Sequence, residues 1–129
     1  MMESMTHIAP AANSPLGIWL DYLLAIHPTE IDMGLARESE AAKRLSLTEL
    51  GETKVVTVAG TNGKGTTCAM IEAALKLTGK SVGVYSSPHL LNYNERVRIN
   101  GVDATDTALV SAFETIEAAR AEISLSFFE

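Results

Sequence analysis

The run Gly60-Thr61-Asn62-Gly63-Lys64-Gly65-Thr66-Thr67 holds the residue types that bind a polyphosphate. Glycines leave main-chain N–H groups open to converge on phosphate oxygens, and a helix that follows adds the positive end of its dipole. Lys64 would reach the terminal phosphates as a point charge. The Thr66 or Thr67 hydroxyl could meet Mg²⁺ or its waters. The pattern departs from the usual P-loop. An earlier glycine is wanted at what is here Val58, and a Ser or Thr is wanted directly after the lysine, where Gly65 stands. The loop is therefore shorter, and its metal hydroxyl is displaced. A second hydroxyl source is Ser86-Ser87, ahead of Pro88. For those serines an ordinary turn before Pro88 is the favoured reading, whereas for the glycines a plain strand-to-helix connection is the lesser one.

Elements that could position these residues follow from composition. Residues 55–59 (VVTVA) form the β-branched run of a strand buried on both faces. From about Thr66 to Leu77 a helix is predicted, with Met70, Ile71, Ala74 and Leu75 on one face and Gly79 as its stop. Residues 81–85 (SVGVY) read as a second buried strand, so strand, loop, helix and strand make a βαβ unit with a parallel sheet. The fold class expected is α/β, a P-loop-type parallel sheet with flanking helices.

Upstream, residues 1–13 read as a flexible leader. Ser14-Pro15 reads as an N-cap with Pro at the first helical position. Leu16, Trp19, Leu20, Leu23, Leu24 and Ile26 follow at helical spacing, with Trp19 as core anchor and His27 near the helix end, where a cation is favoured. A short helix is predicted over 36–45. Between them lies Asp32-Met33-Gly34-Leu35, an unusually apolar loop. Downstream, residues 95–99 alternate Val97 and Ile99 against Arg96 and Arg98, and Asn100-Gly101 turns the chain. The two arginines read as a solvated face, with anion contact left open, and His89 as a loop residue hydrogen-bonded to backbone, with orienting the loop or contacting phosphate as the alternatives. Asp106 could cap a helix reaching about Ala121. Ser126-Phe127-Phe128-Glu129 has the S-x-x-E form of a capping box, with a C-terminal strand over 123–128 as the alternative.

Composition narrows the partners. The 129 residues carry a formal net charge of −6, so nothing draws the chain generally to nucleic acid or anionic lipid, and a phosphate ligand needs a local site. Hydrophobic residues make up 47% and charged residues 20%, the balance of a folded domain. The single cysteine, Cys68, excludes an internal disulfide and a multi-cysteine metal site and reads as a small core residue. No stretch approaches the about 18–20 apolar residues of a membrane span, and no signal peptide is legible. The chain reads as cytoplasmic by default.

VAGTNGKGTTC, then GVYSSPHLLNYNERVRING, then EISLSFFE resemble the bacterial dihydrofolate synthase/folylpolyglutamate synthase family, ATP-dependent ligases that share a fold with the Mur ligases. The resemblance runs from about Ser14 to Glu129. It implies the N-terminal part of the ATP-binding ligase domain over 14–129. It also implies a reaction in which ATP converts a carboxylate to an acyl phosphate that glutamate's amine then attacks. By motif, Gly60, Thr61, Asn62, Gly63, Lys64, Gly65 and Thr66 fall on ATP positions, with Lys64 the catalytic cation. Ser87, with Thr66, falls on Mg²⁺. Asp32, Met33, Gly34, Leu35, Ser126, Phe127, Phe128 and Glu129 fall on the pterin site. The implied partners are ATP, dihydropteroate, folates and L-glutamate, for a monomeric parent enzyme with no nucleic-acid or membrane partner. Further sheet strands, an acidic and a histidine metal ligand, a modified lysine and the glutamate-binding domain have no counterpart here. The isolated chain is therefore expected to be inactive as a ligase. A Mur-type ligase piece, disfavoured by NYNERVRI, and a non-catalytic nucleotide-binding module are the alternatives.

Overall fold

The computed structural model describes residues 8–26, 35–127 and 129. They fall into two compact units: residues up to Glu52 together with those from Thr107 onward, and Thr53–Asp106.

The first unit is helical. α1 (Leu16–Ala25) presents Leu16, Trp19 and Tyr22, one helical stripe, to the interior. α4 (Asp106–Arg120) supplies buried Leu109 and Val110. Trp19 is 2% exposed, and its indole meets Tyr22 edge-on at 6.0 Å and Phe113 of α4 at 6.3 Å. Ala41 of α2 (Ala36–Arg44) and Leu125 complete the buried set of this unit. α4 ends where Ala121 turns left-handed, φ 46°. There Arg44 donates to the carbonyls of Ala119 (3.3 Å) and Arg120 (3.0 Å), placing a cation at the negative end of the dipole.

Two sequence expectations shift here. Ser14 does not cap α1: its hydroxyl donates to the Ala11 carbonyl at 2.6 Å, and the cap position falls on Pro15, whose carbonyl accepts from Ile18 and Trp19. Residues 123–127 form no strand. Instead the capping-box bonds close on themselves, Ser126 N–H to Glu129 Oε2 (2.7 Å) and Glu129 N–H to Ser126 Oγ (3.2 Å).

The second unit carries α3 (Lys64–Leu77) and an antiparallel sheet in the order β1–β2–β3. β1 is Gly83–Tyr85, β2 Val97–Ile99 and β3 Val102–Asp103, with a 3₁₀ turn at Tyr93–Arg96 leading into β2. Val84 stands opposite Arg98, and Ile99 opposite Val102. Asn100 and Gly101 both take positive φ (51° and 82°), as a tight type I′ hairpin requires. The Lys76 side chain lies over Gly101, and its flexible end would have to swing aside for a Cβ there.

Helix and sheet coexist as expected of an α/β chain, but the parallel pairing does not occur among the described residues. Residues 55–59 join no ladder, and Val55 and Val56 are 70% and 66% exposed. The β-branched run favours extended backbone, yet a strand needs a neighbour to take its N–H and C=O groups. The free edge of the 81–85 segment is taken by β2 instead. On α3 the buried residue is Glu72, whereas Met70 is 68% exposed, so the apolar face expected to be covered is not.

Candidate functional site

Residues 60–67 are all exposed and run directly into α3, whose first residue is Lys64. Gly63, at φ 75° and ψ 6°, makes the left-handed step into the helix, a conformation that a side chain would strain. The first main-chain bond of α3 is Thr67 N–H to Gly63 O at 3.0 Å. Ahead of it the amides of Lys64, Gly65 and Thr66 donate to no protein acceptor among the described residues, and no side chain caps the helix. No acidic residue sits in the first turn to neutralise the dipole. The Lys64 stem folds back over the loop: a Cβ on Gly60 would stand 3.8 Å from Lys64 Cγ. Among the described residues the Lys64 ammonium has no carboxylate partner. Unsatisfied amides, a positive dipole end and a lysine without a carboxylate are the groups that could together receive an anion.

Ser87 lies exposed on the loop after β1, followed by a cis bond to Pro88. Two consecutive residues of the 3₁₀ turn tie this loop down. The Glu95 carboxylate accepts the amides of Leu90 (2.9 Å), Leu91 (2.9 Å) and Asn92 (2.7 Å). Those bonds, that of Asn92 first, hold its carboxyl below the ordinary glutamate value. Arg96 takes the Ser86 N–H on its carbonyl at 2.9 Å and donates its own Nε–H to His89 Nδ1 at 2.9 Å. Its guanidinium lies 5.3 Å from the centre of the Tyr93 ring. Burial raises the Tyr93 hydroxyl pKa, Tyr85 adds to it, and Arg96 opposes.

α3 and the sheet are joined by an ion pair. Arg98 Nη2 approaches Glu72 Oε1 at 3.3 Å, and its Nε lies 3.6 Å from Asp103. Glu72 is 7% exposed and its second oxygen has no partner. Arg96 and Arg98 are therefore not the solvated face expected from alternation.

Of the residues assigned to the pterin site, Asp32, Met33, Gly34 and Phe128 lie outside the described residues, as does His27. Leu35 is exposed at the start of α2. Ser126, Phe127 and Glu129 belong to the helical unit, where Arg37 grips both Glu129 oxygens at 3.1 and 3.2 Å. No local pattern marked Arg37, Glu72 or Arg96 as partners. Glu95 alone carried a signal, as the acid of an N-x-x-E cap.

Among the described residues no group of three His, Cys, Asp or Glu could hold a metal ion. The hydroxyl oxygens of Ser87 and Thr66 are nonetheless hard donors that suit Mg²⁺, which keeps waters and takes much of its shell from substrate phosphates. A cavity of about 310 Å³ bounded by Lys76, Gly79, Lys80, Ser81 and Asn100 sits at the far end of α3 from this loop.

No family model matches the sequence. A dihydrofolate synthase/folylpolyglutamate synthase of Escherichia coli is 51% identical over 93% of this chain, which is 28% of that protein's length. Among solved structures, the bifunctional enzyme of Yersinia pestis complexed with AMPPNP and Mn ion is 50% identical with a TM-score of 0.87, over 94% of this chain and 29% of its own. The E. coli enzyme in complex with DHPP and ADP is 50% identical with a TM-score of 0.85, over 92% and 28%. The chain thus spans little more than a quarter of the length of the relatives it matches. Half of its residues and nearly all of its backbone agree with theirs, and over that stretch the chain belongs to the bacterial dihydrofolate synthase/folylpolyglutamate synthase family.

Proposed function

We propose that this chain supplies the phosphate loop, and part of the pterin site, of an ATP-dependent ligase. That ligase joins L-glutamate to dihydropteroate, to folylpolyglutamate, or to both, through an acyl phosphate. Residues 14–129 are the N-terminal part of its ATP-binding domain. Gly60, Thr61, Asn62, Gly63, Lys64, Gly65 and Thr66 bind ATP, and Ser87 with Thr66 contacts Mg²⁺. Asp32, Met33, Gly34, Leu35, Ser126, Phe127, Phe128 and Glu129 border the pterin. The observation that carries the reading is the set of free amides at 64–66 beside an unpaired Lys64. AMPPNP with Mn and, separately, ADP with DHPP are bound by close relatives, which supports ATP, a divalent metal and a pterin as ligands here. The parent enzyme works as a cytoplasmic monomer. Among the described residues no helix is long and apolar enough to cross a membrane.

Phosphoryl transfer asks mainly for positioning and charge neutralisation. The loop amides and Lys64 would hold the β- and γ-phosphates while a carboxylate attacks. Mg²⁺, when bound, screens the phosphate oxygens from that carboxylate. The Ser87 and Thr66 hydroxyls offer it oxygen ligands.

Titration of ATP into the 129-residue chain, with and without Mg²⁺, tests this. Lys64→Ala is expected to abolish binding and leave the unfolding midpoint unchanged, because Lys64 is exposed and pairs with nothing. Equal affinity of the variant and the parent chain would refute the assignment.

A further inference from the structure

We propose that Arg96 is a positioning residue: through His89 and Ser86 it fixes the loop on which Ser87 presents its hydroxyl to a metal-bound nucleotide. This rests on the reading that Ser87 meets the metal. Arg96 is bonded to both flanks of Ser87. Its carbonyl holds the Ser86 amide on the side toward β1, and its Nε–H is received by His89 Nδ1 on the other. An arginine Nε can only donate, so Nδ1 is the accepting nitrogen and the imidazole proton sits on Nε2. The ring is thereby locked in one tautomer and one orientation. Tyr93 backs both partners, lying edge-on to His89 at 6.0 Å and beneath the guanidinium. Beyond His89, Glu95 pins the next three amides. Ser87 itself makes no bond to the protein among the described residues, so its hydroxyl stays available while its neighbours do not move.

Metal affinity depends on such outer partners because a ligand that must first be ordered binds more weakly, by about 10- to 100-fold when its support is removed. A merely structural role would change stability and leave the metal dependence of binding alone.

The experiment measures AMPPNP affinity of the 129-residue chain with and without Mn²⁺ for the parent and for Arg96→Met, His89→Ala and His89→Asn. It also follows the His89 ring nitrogens by NMR. Arg96→Met and His89→Ala are expected to cut the Mn²⁺-dependent gain in affinity about tenfold, leaving metal-free affinity within about twofold. His89→Asn, whose side-chain oxygen can stand where Nδ1 accepts, should restore most of the gain. The His89 Nδ1 resonance should move in Arg96→Met, which removes the donor it accepts from. An unchanged Mn²⁺ gain in both disruptive variants, with Lys64→Ala still abolishing binding, overturns the proposal and leaves the phosphate loop standing. If the parent chain binds no nucleotide while the His89 Nδ1 resonance moves in Arg96→Met, the functional reading falls and the clamp is upheld.

Discussion

The helical unit is held by an apolar centre, with Trp19, Tyr22, Leu109 and Val110 buried on the facing sides of two helices. The Thr53–Asp106 unit has Val82 as its buried hydrophobic residue, and Leu90, Leu91, Val102, Met70 and Val55 are all more than two-thirds exposed. Its order comes from charged side chains: Glu95 on three amides, Arg96 on His89, Arg98 on Glu72. Apolar packing is non-directional and rewards area, whereas hydrogen bonds fix angles and distances. The second kind of cohesion suits a loop whose hydroxyl and amides must be aimed.

The largest expected effect breaks the comparison at its apolar end. Trp19→Ala should cost about 3–5 kcal/mol, measured by urea unfolding, since it empties the most buried large side chain. Trp19→Phe should cost clearly less. It keeps most of the ring volume and removes a buried indole N–H that has no acceptor. A loss below about 1 kcal/mol for Trp19→Ala would mean the helical unit is not held as described.

The next effect is a pH dependence in the same unit. Burial raises the Glu117 pKa, but hydrogen bonds from Arg120 (2.7 Å) and the Tyr22 hydroxyl (2.7 Å) lower it more, so the net direction is below the ordinary 4.5. A carboxylate depressed in the folded state stabilises above its unfolded pKa, and that stability disappears as pH falls through the folded value. Unfolding free energy should therefore decline from about pH 4.5 downward, with Glu117→Gln flattening that limb. Glu122, held at about 2 by its hydrogen bond to Arg44, titrates at the acid end of the same range. It is the control, because it remains in Glu117→Gln. An acid limb identical in variant and parent would remove the Tyr22–Glu117–Arg120 network from the account.

These two kinds of cohesion were not equally legible in the sequence. Periodicity placed α2 within a residue, reached α4 from Asp106, and singled out Trp19, because an apolar stripe repeats at a fixed spacing. Asn100-Gly101 declared its turn through the φ values it tolerates. The glycine-rich run at 60–65 was legible as the turn into α3 because the left-handed step at Gly63 favours glycine. The polar clamp was not. Arg96 and His89 are seven apart, Arg98 and Glu72 lie on different elements, and Arg37 meets Glu129 across most of the chain. Such pairs have no period. Alternation at 95–99 reads as extended backbone, which holds for Val97–Ile99 but not for Glu95 and Arg96, which close a 3₁₀ turn, and the solvated arginine face it implied does not form. Residues 55–59 illustrate the converse: a strong local preference for extension says nothing about who supplies the neighbouring edge.

The smallest expected effect sharpens the comparison at its polar end. Val56→Thr conserves shape and exchanges a methyl for a hydroxyl. In a strand buried on both faces that exchange leaves a hydroxyl without a partner and costs about 1–3 kcal/mol. At a position 66% exposed, the hydroxyl stays in water and the change should fall within about 0.5 kcal/mol. Urea unfolding of the 129-residue chain distinguishes the two. A loss above about 1 kcal/mol would show residues 55–59 packed as their composition demands. The Thr53–Asp106 unit would then owe its cohesion to an apolar layer after all, and the contrast with the helical unit would disappear.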